Sequence, residues 1–359
     1  MGTFAEIATE PRQAKMKYWY LFIATVLVIW ASLVLGLGLL SGVTRQWPIS
    51  VVMILGSFIA GSTPMGGGSV SFPFLVLWLH IPPDTARTFG LCIQSLGMVS
   101  AMVFILCRRV RIQGRMLLWT IAGAAAGMAF GTAAITPRIA PNFVKLLFAC
   151  MWMSFGLLTI IRSREFCSLT GIRNIDKGMA RRTGLLVGIL GGIIASIIGV
   201  GVEMILYTVL VLLYRSDLKI AVPTAVSAMA VTAVMGVATH LALGDIPRDV
   251  GMKVLAAGPV VIFGAPIGAY VLSVIPRVRT LYLISVLCVV QFVWTLYSLQ
   301  RTRAEWAFVA VAMILAGQAF YWMYRAGRRP RESSAFERTR QEAQSVSNSI
   351  RVTKAPTPD

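Results

Sequence analysis

Charged residues are scarce in this sequence, and acidic residues are the scarcest of them. Only 13% of the 359 residues are charged, and 14 Asp and Glu stand against 33 Lys and Arg, for a net charge of +19. A soluble domain carries about 25% charged residues. With 57% hydrophobic residues and a mean hydropathy of +0.76, the composition excludes a cytosolic enzyme, a disordered protein and a secreted disulfide scaffold, and it indicates a membrane protein.

Cysteine and histidine are also too few and too scattered to build a cofactor site. The five cysteines form no CxxC pair, and the histidines are only His80 and His240. This pattern predicts neither a disulfide framework nor a metal site. A Walker lysine after a glycine loop, a GxSxG elbow and an HExxH helix are missing too. We therefore expect no catalytic residue, no metal and no cofactor.

Apolar runs long enough to cross a bilayer recur along the chain. A hydrocarbon core of about 30 Å needs roughly 20 helical residues. Two segments, 48–80 and 184–214, are too long for one crossing and too short for two, and glycines break each near its middle. Eight other runs predict full spans: residues 18–40, 88–107, 116–135, 143–161, 220–241, 252–274, 280–299 and 304–324.

The basic loops decide how the two broken segments are drawn. If each is a re-entrant hairpin and the N-terminus is cytoplasmic, the arginines of 108–115, the loop 162–182 and the tail from 325 all lie in the cytoplasm. Single crossings would place at least one of these segments outside. The sequence thus predicts an all-α polytopic membrane protein with about eight transmembrane helices, two re-entrant broken-helix hairpins and both termini in the cytoplasm.

The chain also repeats itself. Residues 65–84 lie over 198–217 at an offset of 133, so that Gly66 meets Gly199 and Asp84 meets Asp217. Each unit is one hairpin plus three spans, and because three is odd the two units are inverted. The predicted parts are the N-terminal segment with the first helix (1–47), repeat 1 (48–161), a basic loop (162–182), repeat 2 (183–299), a last helix (300–324) and a disordered basic tail (325–359).

The two breaks indicate where a ligand would bind. Inverted repeats with broken helices are a common construction of secondary transporters, with the substrate at the mid-membrane repeat interface. Helix N-termini at Ser69 and near Val202 would face each other there, and their partial positive charge suits a small anion. The alternative is that such glycines only let helices pack closely. We favour that alternative for the Gly127/Gly131 and Gly264/Gly268 pairs, and an anion site for the breaks.

Three polar residues inside apolar runs are further candidates. Glu203 is either a proton-coupling site or an acid stabilised by the N-terminus of its own helix, and the sequence supports both interpretations equally. Gln94 and Ser95 lie in mid-span, where they either line the cavity or hold helices together. Arg87 and Arg215 border loops, so we expect their side chains to be solvated or to snorkel towards the interface.

At these residues the sequence resembles the TauE/SafE family of sulfite and organosulfonate exporters. The segments GGGSVSFPFLVLWLHIPPDTARTFG and GLLVGILGGIIASIIGVGVEMILYTVLV carry the likeness, which covers about residues 49–299. It implies transport of a small sulfur-containing anion across the bacterial inner membrane. The sequence departs from the family pattern at two places: the second glycine run is Gly-Val-Gly, and Leu206 stands opposite Pro73.

The pattern and the likeness together give a set of substrate-binding candidates. These are Gly66, Gly67, Gly68, Ser69, Gly199, Gly201, Thr224, Ser227, Gln94 and Ser95, and Thr88 is a candidate for the first-half partner of Thr224.

The sequence leaves several functional alternatives open. The leading hypothesis is a secondary transporter, by resemblance an exporter, coupled to protons or to the membrane potential. A passive anion channel and a carrier of another small organic anion are the alternatives. The expected partners are the anion and the bilayer, with anionic lipids near the basic tail. We expect no nucleic-acid partner, and a homodimer is compatible with the pattern.

Overall fold

A computed structural model describes residues 16–64, 74–138, 140–167, 175–244, 246–298 and 302–327, and within these residues every regular element is helical. The helix Gly114–Phe130 continues as a π-helical turn, Gly131–Ile135, and the helix Val202–Thr208 continues as another, Val209–Leu213. The elements are α1 (Lys17–Gly36), α2 (Leu40–Arg45), α3 (Trp47–Ser62), the single π-helical turn α4 (Phe74–Trp78), α5 (Pro83–Cys107), α6 (Gly114–Phe130), α7 (Pro141–Cys167), α8 (Lys177–Ile198), α9 (Val202–Thr208), α10 (Leu218–Leu243), α11 (Arg248–Val274), α12 (Arg277–Ser298) and α13 (Arg303–Gly327).

Seven of the described helices are long and apolar enough to cross a bilayer: α1, α5, α6, α8, α10, α11 and α13. The predicted polytopic helical fold is therefore confirmed. The predicted span 143–161 lies within α7, and α12 contains residues 280–298 of the predicted span 280–299, whose last residue lies outside the described residues. One span is shorter than predicted, because the chain turns at Gly38 (φ 63°) and α2 starts only two residues later.

The two halves exchange their first helices. α3 runs parallel to α11, where Ser50 donates a hydrogen bond to the Ala256 carbonyl at 2.9 Å. α8 runs parallel to α6 in the same way, with Gly123 near the start of the contact and Gly131 near its end. The first helix of each repeat therefore packs along the second of the three spans of the other repeat, α3 along α11 and α8 along α6.

The directions of the helices show that the repeats are inverted. α5 runs in the same direction as α11, since Arg108 at the end of α5 lies over the ring of Tyr270 near the end of α11. α5 runs opposite to its own counterpart α10, because Leu91 near the start of α5 meets Gly236 near the end of α10. Equivalent helices thus cross the bundle in opposite directions, as the odd number of spans predicted.

Glycine allows the exchanged helices to approach closely. A Cβ on Gly127 would lie 2.2 Å from the Ile189 carbonyl oxygen, and a Cβ on Gly264 would lie 1.9 Å from Ser57 Oγ. Neither distance is compatible with a side chain. The packing interpretation of the two small-residue pairs is confirmed.

The second broken segment is a hairpin. Its returning arm runs back along α8 until the Tyr214 hydroxyl lies 2.7 Å from Thr183 Oγ1, near the start of the outgoing arm. Gly191, close to the end of the outgoing arm, lies against Val202, where the returning arm begins. The chain therefore enters and leaves the bundle at the same end.

The returning arms of the two hairpins end in the same way. Ile81 N donates to the Leu75 carbonyl at 2.9 Å, and Ser216 N donates to the Leu210 carbonyl at 2.9 Å. The residue before each donor has a positive φ, 51° at His80 and 53° at Arg215. The offset between the repeats is therefore 135 at this point, and the offset of 133 read from the sequence, which paired Asp84 with Asp217, is wrong by two residues there.

Basic loops gather at one end of the bundle, which we call the basic end. Lys219 Nζ donates to the Ser273 carbonyl, and Gln113 N donates to Thr224 Oγ1, so the loops after α5, before α10 and after α11 lie together. The end of α13 joins them, since Gly327 packs on the carbonyls of Leu212 and Leu213, at the end of the returning arm of the second hairpin. This is the arrangement that two re-entrant hairpins require.

Replacing Gly188 with alanine tests the close packing of α6 and α8. A Cβ there would lie 2.2 Å from the Thr120 carbonyl oxygen, and such overpacking costs about 1–3 kcal/mol. We expect a lower thermal unfolding midpoint for the Gly188→Ala protein in detergent. Gly36→Ala is the matched control, because its Cβ would meet nothing within 4 Å, and equal midpoints for the two variants would contradict the packing.

Candidate functional site

The break of the second hairpin is a three-residue loop that only glycine can form. Gly199 has a φ of 82° and donates its N–H to the Ala195 carbonyl at 2.8 Å, which ends α8. Gly201 has a φ of 151°, and a Cβ there would lie 2.8 Å from Ile194 Cγ2. L side chains rarely adopt these φ values. The break thus turns the chain sharply between α8 and α9 while staying packed.

Arg87 of α5 holds this tip from the side. Its Nη1 donates to the Ser196 carbonyl at 3.1 Å, and its side chain lies against Gly199. A cation is favourable there because the last carbonyls of a helix carry partial negative charge. Arg87 is 8% exposed and Arg215 is 9% exposed, so the expectation of solvated or snorkelling side chains is wrong. Both are enclosed at the second hairpin, Arg87 against its tip and Arg215 at the end of its returning arm beside Glu165.

Glu203 lies in the first turn of α9 and is 1% exposed. Its Oε1 accepts a hydrogen bond from Gly201 N at 3.1 Å. Among the described residues no cation pairs with it. The contact matches the interpretation of an acid at its own helix N-terminus, and it also places a protonatable group directly at the break.

Gln94 and Ser95 lie in the middle of α5. Gln94 is two turns beyond Arg87, or about 10 Å along the helix, and it is 3% exposed. Its Nε2 has no hydrogen-bond partner among the described residues. Ser95 Oγ donates to the Cys92 carbonyl at 2.7 Å within its own helix. A buried amide donor without a partner costs free energy unless something binds it, which makes Gln94 the stronger candidate of the two.

Thr224 and Ser227 lie on α10, in its second and third turns from the basic end. The Thr224 hydroxyl donates to the Ile220 carbonyl at 2.6 Å and accepts from Gln113 N at 3.0 Å. Ser227 Oγ donates to the Pro223 carbonyl at 2.8 Å. Both side chains are fully buried. Thr224 therefore ties the loop after α5 to α10, a connection that the sequence did not suggest.

The glycine run of the first hairpin, Gly66, Gly67 and Gly68, lies outside the described residues, as does Ser69. The arm before it ends at Gly61–Ser62 and reaches the level of Phe104 on α5. The tip of the second hairpin contacts Arg87, 17 residues earlier on α5. At 1.5 Å per residue, the outgoing arms end on the order of 20 Å apart in depth, so each passes the middle of the bundle.

A cavity of about 290 Å³ opens beside the end of the first outgoing arm. It lies between α3, α5, α10 and α11 at the basic end. Phe104, Val222 and Leu272 give it apolar walls, and Gly61 lies in its lining. Arg108 and Lys219 are the cations that line it.

Aromatic and carbonyl contacts fix these two cations. The Arg108 guanidinium carbon lies 4.9 Å from the Tyr270 ring centroid and 5.5 Å from that of Phe104. Lys219 Nζ donates to the Ser273 carbonyl at 3.2 Å. In the part of the chain that the structure describes, neither forms an ion pair. Sequence reasoning missed this site because its walls come from four helices far apart in the chain, although the arginine-rich turn after α5 was visible.

Replacing Arg87 tests its role at the hairpin tip. Arg87→Met removes a charged donor from the end of α8, and hydrogen bonds to charged groups contribute about 1.5–3 kcal/mol. We expect a lower unfolding midpoint in detergent, with partial recovery in Arg87→Lys. Arg45→Met, at an exposed position of α2, is the control. A midpoint for Arg87→Met as high as that of the control would show that the contact does not stabilise the tip.

Comparison with known proteins agrees with this architecture. The family model described as sulfite exporter TauE/SafE matches residues 49–294, which include both repeats and both hairpins. No curated protein and no solved structure matches the chain. The match covers more than two thirds of the sequence, and the chain therefore belongs to the TauE/SafE family of multi-pass membrane transporters for sulfite and related sulfur anions.

Proposed function

We propose that the chain exports a small sulfur-containing anion from the cytoplasm across the bacterial inner membrane. The basic end would face the cytoplasm, together with both termini, because cytoplasmic loops are rich in Lys and Arg. The anion would enter through the cavity at the basic end. The observation that carries this proposal is a cavity at the basic end of the helix bundle, lined by two cations that have no carboxylate partner among the described residues.

The charges of the cavity favour an anion over a cation. Arg108 and Lys219 are held by a ring and a carbonyl, so their charge is not neutralised locally. Clefts lined by one sign of charge concentrate the oppositely charged ligand. The apolar walls lower the local dielectric constant and so strengthen this attraction. A site for a metal cation would instead need carboxylates in place of these two cations.

Polar groups deeper in the bundle would receive the anion with less charge. Gln94 Nε2 is a buried donor without a described partner. Ser227 on α10 donates its hydroxyl to the Pro223 carbonyl at 2.8 Å, and it would offer this donor to the anion by giving up that bond. A dipolar site without a full positive charge binds weakly. A weakly held anion can leave on the far side, as transport requires.

In this proposal Glu203 couples protons to the movement of the anion. Its carboxyl group lies at the break itself and is buried. The bond from Gly201 needs only an acceptor oxygen, which a carboxyl group offers in both protonation states. The tip of the hairpin would therefore stay capped whether or not Glu203 carries a proton. A proton taken up there would offset the charge of an anion nearby.

Uptake into proteoliposomes tests the substrate class. Sulfite, sulfoacetate, taurine, sulfate and acetate are compared with and without an imposed pH gradient. We expect sulfite or sulfoacetate to be transported, and Arg108→Gln and Lys219→Gln each to lower uptake at limiting substrate on the order of 10-fold, with the deficit shrinking at high salt. Arg303→Gln, which removes an exposed cation at the opposite end, is the matched control.

Three outcomes would contradict the proposal. Transport of acetate in preference to every sulfur anion would identify a carrier of another organic anion. Flux that runs only down the gradient of the anion, with no response to an imposed pH gradient, would identify a passive channel. Equal uptake by Arg108→Gln, Lys219→Gln and Arg303→Gln would remove the cavity from the pathway.

The Glu203→Gln variant tests proton coupling separately. The amide keeps an acceptor oxygen for Gly201 N and cannot lose or gain a proton. We expect this protein to fold and to exchange labelled substrate, but to lose acceleration by a pH gradient. Unchanged dependence on the pH gradient would assign Glu203 to capping alone.

A further inference from the structure

A second apolar groove lies between α7 and α13, away from the transport cavity. The two helices touch near the end opposite the basic end, where Phe143 and Phe308 pack edge to face with centroids 5.0 Å apart. They meet again at the basic end, where the Arg162 guanidinium carbon lies 4.2 Å from the Tyr324 centroid. Between these contacts a groove of about 280 Å³ remains open.

The groove is built for a hydrocarbon chain. Leu158, Met313 and Phe320 line it, and a Cβ on Gly317 in its lining would meet nothing within 4 Å. α13 faces outward along most of its length, with only 6% of its apolar window buried. At this depth in a membrane, the neighbouring solvent is acyl chains rather than water.

Two guanidinium groups and one carboxylate close the groove at the basic end. Arg215 Nη2 pairs with Glu165, and Arg162 lies 4.0 Å from the same carboxylate. The Arg215 guanidinium carbon lies 5.3 Å from the Tyr324 centroid. Burial raises the pKa of Glu165, but hydrogen bonds from Arg215 and Tyr324 outweigh it and hold that pKa below its usual value. Arg162, Arg215 and Glu165 together therefore carry one net positive charge among the described residues.

Two hydrogen-bond donors of Arg215 have no partner among the described residues. The side chain of Arg215 is 6% exposed, and its Nε and Nη1 have no described partner. The Arg162 side chain, at 37% exposure, is the part of the cluster that a ligand can reach. An anionic group at Arg162 would balance the excess charge of both arginines.

We propose that this groove binds an anionic phospholipid of the cytoplasmic leaflet. One acyl chain lies along Leu158 and Phe320, and the phosphate binds Arg162. Two observations favour a lipid over a protein partner: the groove ends in an excess positive charge at the level of the headgroups, and its open side faces the bilayer. Bound lipid would then link α13 to the base of the second hairpin through Arg215 and Tyr324.

Lipid retention by the purified full-length chain tests the site. The protein is incubated in detergent with phosphatidylglycerol or phosphatidylcholine, repurified, and analysed for bound lipid and for its unfolding midpoint. We expect phosphatidylglycerol to be retained about fivefold over phosphatidylcholine, the preference that one cation near the surface supplies, and to raise the midpoint more. Arg162→Gln is expected to abolish the preference, and Arg162→Lys to keep most of it.

A second pair of variants tests the groove independently of charge. Gly317→Leu fills the groove and should lower retention of both lipids, whereas Gly36→Leu, at an open position of α1, should not. Equal retention of the two lipids by the unmodified protein would overturn the proposal. So would a persisting preference in Arg162→Gln, normal retention in Gly317→Leu, or an equal midpoint shift from soluble glycerol phosphate, which would identify a free-anion site.

Discussion

Every backbone N–H and C=O group inside a membrane needs a hydrogen-bond partner. This requirement is hardest to meet where a helix is interrupted, as the sequence indicates for both hairpins. At the second break, Gly199 N bonds to Ala195 and Gly201 N bonds to Glu203. Residues 199–201 of this break are all buried, so their irregular backbone does not face lipid. Under the proposed function, the polar groups between the repeats are where the anion would lose water without entering hydrocarbon.

The general architecture could be predicted because it depends on composition over long windows. Runs of about 20 apolar residues, an excess of arginine in particular loops and a repeat with an odd number of spans each leave a strong signal in one sequence. The register between the two repeats left a weaker signal. Because the residues around the breaks are compositionally simple, an offset of 133 aligns them well, whereas the hydrogen bonds that end the returning arms require an offset of 135.

Contacts between distant helices account for what the sequence did not reveal. Arg87 and Arg215 border loops and read as solvated, yet both are enclosed at the second hairpin. The cavity at the basic end combines residues about 160 positions apart, such as Arg108 and Tyr270. Nothing local distinguishes these arginines from the exposed ones in neighbouring loops. Glu203 differs, because an acid within an apolar run is conspicuous in any sequence.

The exchange of first helices between the repeats has a consequence for biogenesis. α3 begins at residue 47, but its partner α11 begins only at residue 248. At about 5–20 residues per second, a ribosome needs roughly 10–40 s to synthesise the intervening chain. During that time the first hairpin is inserted or held without its final neighbour, so the insertion machinery, a chaperone or a provisional fold must shelter its broken backbone until the second half arrives.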